Sequence, residues 1–115
     1  MKVIYNNNEI KIKKCTNFKD RLIGLMFKKD IDYGLFFPKC SSIHTFFMRF
    51  NIDVYMIDKN YKIISIKKNM NPWKILLPKK NVYGILEFKA NTTNFKIETA
   101  LGIHHAKAKK KSYIL

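Results

Sequence analysis

Four charged residues stand apart from the lysines that dominate this chain. Arg21, Arg49, Asp53 and Glu87 sit in apolar surroundings, within RLIGLMF, FFMRF, NIDVYMID and ILEFK. A charge placed among apolar neighbours needs an assigned partner, because an isolated buried ion is too costly to keep. The chain carries 23 lysines and arginines, and Arg21 and Arg49 are its only arginines. Arginine is informative in such a background, since its planar fork binds a carboxylate or phosphate in a way that lysine cannot copy. Two readings follow. Either Arg21 or Arg49 forks onto Asp53 or Glu87 and fixes how the first helix docks on the sheet, or one fork is left open in a cleft for an anionic ligand. Arg49 and Asp53 would lie about 13 Å apart on one continuous strand, so they meet only if the chain bends near Asn51.

His44, next to Thr45, adds a group that hydrogen-bonds as a structural residue or moves a proton. Trp73, which follows Pro72 in a loop, is a lid or a plug for the same region. His44, Arg49, Asp53, Trp73 and Glu87 are therefore the candidate ligand site, for a small anionic molecule or a partner segment. A small enzyme with His44 as acid or base is an alternative, and no reaction is assigned to it. Cys15, Cys40, His44, His104 and His105 lack close metal-ligand spacing, and no metal is expected. Cys40 with His44 lacks an orienting third residue for nucleophilic catalysis. Gly24, Gly34, Gly84 and Gly102 do not cluster into a phosphate loop. No cofactor is expected.

The net charge is +15 over 115 residues. Its excess lies mainly in the second half, and part of it reflects a lysine- and asparagine-rich coding style. Lys67, Lys68, Lys79, Lys80, Lys109, Lys110 and Lys111 are the set that would bind a nucleic-acid backbone without sequence preference, the second alternative. No segment approaches the roughly twenty apolar residues of a membrane span, and no apolar run resembles a signal peptide. A cytoplasmic location with reduced cysteines is the corresponding expectation.

A hydrophobic content of 47%, with nine Phe and six Tyr, supports one packed domain over residues 1–115. Val3 to Tyr5 and Ile10 to Lys14 read as a hairpin around Asn6, Asn7 and Asn8. Thr16 or Asn17 caps a helix that places Phe18, Leu22, Leu25 and Met26 on one face, with Arg21 beside it. Strands are expected at Tyr33 to Phe37, Thr45 to Phe50, Ile52 to Ile57, Tyr61 to Lys67 and Val82 to Phe88. A second helix is expected from Thr93 or Asn94 to Leu101, ended by Gly102, and a last edge strand at Ser112 to Leu115. The sum is a β-rich α+β domain, a compact antiparallel sheet curled toward a small barrel with two short helices.

RLIGLMF, GLFF, IHTFFMRFNIDVYMID, PWK and ILEFKAN, in this order, give the chain a resemblance to the uncharacterised bacterial and archaeal family known as domain of unknown function 192. The likeness covers about residues 15–104, with 105–115 as a basic tail, and implies a small, mostly β domain with no established activity. Asn51 stands where the family often has proline, and Lys89-Ala90-Asn91 where a Pro-Ala-Gly type of turn is expected. The chain also departs from the family pattern after Gly102.

Overall fold

Two adjacent asparagines start the architecture. Asn6 and Asn7 take φ of 50° and 65°, the left-handed angles that a two-residue hairpin turn requires. They join strand β1 (Lys2–Tyr5) to β2 (Asn8–Lys14) with Tyr5 paired to Asn8. The structure, a computed structural model, describes residues 1–97 and 100–104. After β2 the Asn17 side chain accepts a hydrogen bond from Asp20 N at 2.8 Å and caps helix α1 (Phe18–Ile23). Gly24, at φ 49°, ends the helix after six residues. Leu25 therefore lies beyond the helix, where it is fully buried, while Leu22 is exposed.

The helix returns the chain to a strand, β3 (Gly34–Pro38), which pairs with β2 in parallel. Parallel neighbours need such a crossover, whereas antiparallel ones need only a turn. β4 (Ile43–His44), β5 (Ile52–Ile57), β6 (Ile63–Met70), β7 (Ile75–Leu76), β8 (Gly84–Lys89) and β9 (Gly102–His104) follow. Seven strands form one sheet in the order β6-β5-β8-β3-β2-β1-β9, and β4 pairs with β7 separately. Apart from β2 with β3, the pairings are antiparallel. The sheet is thus mixed, a correction to the all-antiparallel expectation.

Nor is it closed into a barrel. Strands β3, β5 and β8 are buried along nearly their whole length, and alternate residues feed two separate apolar layers, one on each face. Phe36, Tyr55, Ile57, Leu86 and Phe88 join Val3, Ile12 and Phe95 on the first face. Leu35, Phe37, Val54, Met56 and Ile85 join Cys15, Leu25 and Met48 on the second. Gly34 is required by this packing, since a Cβ there would meet the Phe88 ring at 2.3 Å.

Two expected elements are also corrected. Residues 93–97 form no helix, because Phe95 is drawn into the first layer against Tyr5, Tyr55 and Phe88 with ring centroids 4.8, 4.9 and 5.6 Å away. Only one short helix stands among the described residues, and Gly102 opens β9 instead of ending a second one. Thr45 to Phe50 is likewise a turn and not a strand. Phe47 sits there at φ 61°, which a regular strand does not accommodate in a bulky residue. The edge strand expected at Ser112 to Leu115 lies outside the described residues.

Candidate functional site

Thr45 organises the loops around the candidate site. It is fully buried, and its hydroxyl accepts from Lys74 N at 2.8 Å and donates to Asn71 O at 2.7 Å. The Thr45 carbonyl accepts from Trp73 N at 3.0 Å. These bonds hold the β4–β7 pair and the Pro72-Trp73 loop as one unit. His44 leaves this unit with its Nδ1 accepting from Phe46 N at 3.1 Å, so the neutral ring carries its proton on Nε2. Its imidazole stacks on Phe46 at 4.9 Å.

On the second face of the sheet, between α1 and this unit, lies a cavity of about 300 Å³ lined among others by Arg21, Ile23, Phe37, His44, Met48 and Glu87. Arg21 anchors the helix by donating to the carbonyls of Pro38 and Lys39, at the end of β3. Its Nε is buried and has no hydrogen-bond partner. Glu87, in the middle of β8, is 1% exposed, and its Oε1 is also buried without a partner. Burial pushes the Glu87 carboxyl up to about 8, so it is mostly protonated at neutral pH. Two of the side chains lining this mostly apolar cavity therefore each keep one buried polar atom without a protein partner.

Asp53 lies on the opposite face of the sheet from Glu87 and is equally buried. Its carboxylate accepts from Lys68 Nζ at 2.6 Å, Asn69 N at 2.8 Å and Asn91 N at 3.0 Å. Asn69 and Asn91 sit at φ 54° and 65°, so Asp53 fastens the bulge in β6 and the turn after β8 as well as a cation. Its charge partner is a lysine and neither arginine. Arg49 is exposed and makes no hydrogen bond or ion pair among the described residues. Of the five residues chosen from the sequence, His44 and Glu87 share the cavity. Trp73 reaches it only through Phe46, whose ring lies 5.8 Å away.

Sequence reasoning placed Arg21 among structural bridges and missed the apolar walls that accompany it. Their signal was the early Gly24, which leaves Leu22 and Ile23 on a helix too short to bury them. It also missed an aromatic rim. Phe27, Phe47 and Trp73 are exposed by 63, 44 and 58%, touch in sequence at 5.2 and 4.6 Å, and all have φ between 61° and 67°. Positive φ in bulky residues is strained by about 1–3 kcal/mol each.

The proposed lysine set is divided. Lys67 and Lys79 face a groove beside β6, Lys79 and Lys80 line another with Lys59, Lys68 is held by Asp53, and Lys109 to Lys111 lie outside the described residues. Both cysteines are free. Burial pushes the Cys15 thiol up to about 11, against the opposing charge of Lys13, which keeps it a poor nucleophile. Among the described residues no three His, Cys, Asp or Glu side chains stand together as a metal site. No helix among them is long and apolar enough to cross a membrane.

One mixed sheet with apolar layers on both faces, a single crossover helix and a cavity under it define a small β-rich domain. The chain belongs to the family described as Uncharacterized ACR, domain of unknown function 192, whose model matches residues 1–103. The match thus includes the first hairpin, beyond the part that the motifs had suggested. Among curated relatives, the UPF0127 protein of Pyrococcus horikoshii is 35% identical over 85 residues, covering 69% of this chain and 72% of that one. A Thermococcus sibiricus UPF0127 protein is 32% identical over 83 residues, 67% of this chain. The chain spans about half the length of that relative, 53%. Among solved structures, a candidate transcription regulator from Sinorhizobium meliloti superposes with a TM-score of 0.75 at 18% identity, covering 88% of this chain and 89% of that one. A protein of unknown function from Novosphingobium aromaticivorans gives 0.66 at 15%, covering 78% and 71%. These two likenesses concern the fold alone.

Proposed function

We propose that the chain is a small binding domain whose site is the cavity under α1, and that it takes a small, partly apolar ligand with an anionic or carbonyl head. One observation carries this reading: two buried polar atoms without partners, Arg21 Nε and Glu87 Oε1, belong to side chains lining the same cavity. Folded proteins satisfy nearly all such atoms, so a pair left open in one place points to a guest that completes them. The ligand head accepts from Arg21 Nε and from the protonated Glu87 carboxyl, while its apolar part lies against Ile23 and Met48. His44 orients it from the β4 side. Arg49, Asp53 and Trp73 stand outside this reading.

The test is a titration of small aliphatic carboxylates followed by calorimetry, below and above the Glu87 pKa of about 8. An anion is expected to bind below it and to weaken above it, as the carboxyl becomes a like charge. Glu87→Gln, which stays neutral, is expected to remove this pH dependence. Binding that strengthens at high pH would overturn the anionic head in favour of an amine, and absence of binding at both would overturn the site.

A second reading, nucleic-acid binding without sequence preference, draws support from the exposed Lys67, Lys79 and Lys80. A steep loss of oligonucleotide affinity with added salt is its expected signature.

A further inference from the structure

β6 is the longest strand of the sheet, eight residues, and among the described residues it is an edge strand with β5 as its one neighbour in the sheet. An open edge of this length is a template for another strand unless it is protected. Ser65 and Lys67 share one side of it by alternation, and a bulge in its pairing with β5 between Lys67 and Met70 leaves Asn69, at φ 54°, on the same groove. With Lys74 and Lys79 they line a groove of about 650 Å³. Met56, Met70, Ile75, Leu76, Leu77 and Pro78 supply its apolar surface, and no acidic side chain lines it. Ile75 and Leu77 are 60 and 72% exposed.

We propose that the open edge of β6 and the groove beside it dock an extended, acidic segment of a partner protein, which adds to the sheet as a further strand. The backbone groups along β6 supply the pairing, and alternate side chains of the guest fall into the groove. Lys67, Lys74 and Lys79, which have no ion pair among the described residues, select acidic residues among them. Charge also rejects the competing occupants within this chain. A second copy would bring Lys67 against its own counterpart, and the chain's own last residues carry Lys107, Lys109, Lys110 and Lys111. A single-stranded nucleic acid would meet the same lysines, but no aromatic ring lines the groove to stack a base. Aliphatic walls suit a peptide side chain.

The experiment uses the full chain and a fluorescent peptide of alternating glutamate and valine. Its controls are the same peptide with lysine for glutamate, a version interrupted by proline, an oligouridylate, and vesicles containing phosphatidylserine. The acidic peptide is expected to bind and to slow amide exchange along residues 64–69. The lysine and proline versions are expected to fail. Exchanging Lys67 and Lys79 for glutamate should weaken binding by about tenfold. Both side chains are exposed, so these variants fold, as thermal melts would verify. Equal binding of the proline version, unchanged exchange along β6, or no binding at low salt overturns the proposal. So does binding of the oligouridylate or the vesicles by the same lysines when the peptide does not bind.

Discussion

Asp53 and Glu87 are two buried carboxyl groups on neighbouring strands of one sheet, with nearly identical exposure and opposite circumstances. Asp53, on β5, gathers an ammonium and two backbone N–H groups. Glu87, on β8, leaves one oxygen with no partner and retains a proton that its ordinary chemistry would release. The difference shows that burial of a charge-bearing side chain does not by itself separate framework from site. What separates them is the completeness of the hydrogen bonding around it.

The sharpest way to break this contrast is to remove each carboxyl in turn. Asp53→Ala strands Lys68 and the amides of Asn69 and Asn91, and is expected to cost about 3–5 kcal/mol in chemical denaturation. A loss no larger than that of an average surface substitution would show that the three-donor arrangement does not hold the sheet. Glu87→Leu, of similar volume, should instead raise stability by about 1–3 kcal/mol above pH 8, because it removes an uncompensated polar group.

The same carboxyl sets a pH profile. Its pKa rises from 4.5 in the unfolded chain to about 8 in the fold, so the folded state holds the extra proton. Its contribution is complete below 4.5 and is lost as pH rises through 8, with a slope approaching about 1.4 kcal/mol per pH unit between them. Denaturation midpoints across that range check the sign, and Glu87→Leu should flatten the curve. Arg21→Lys keeps the charge but loses the fork onto Pro38 and Lys39, for an expected cost of about 1–2 kcal/mol. Arg49→Lys, at an exposed position with no hydrogen bond or ion pair among the described residues, should change stability by less than about 0.5 kcal/mol. A larger effect at Arg49 than at Arg21 would reverse their assignment.

Features decided locally were legible in the sequence. Asn6 and Asn7 announce a hairpin turn, Asn17 caps the helix, and the run from Ile52 to Ile57 is the strand it reads as. Features decided by distant partners were not. Nothing near Lys14 or Gly34 tells that their strands run parallel. Phe95 abandons a helix only because an aromatic slot exists under Tyr55. Lys68 could not be picked as the mate of Asp53 from so many lysines, whereas the scarcity of arginine drew attention to Arg49, which faces water. Arg21 and Glu87 were recognisable as unusual, but their shared cavity depends on Gly24 stopping the helix early, and that geometry is not written in any single segment.

Trp73 is the chain's single tryptophan, and its ring adjoins Phe46, which in turn stacks on His44 at the cavity wall. The molecule thus carries a built-in optical probe at the end of a two-ring relay. Entry of a guest that shifts the imidazole would alter the indole emission without any label, and a library of compounds can be screened by intrinsic fluorescence alone.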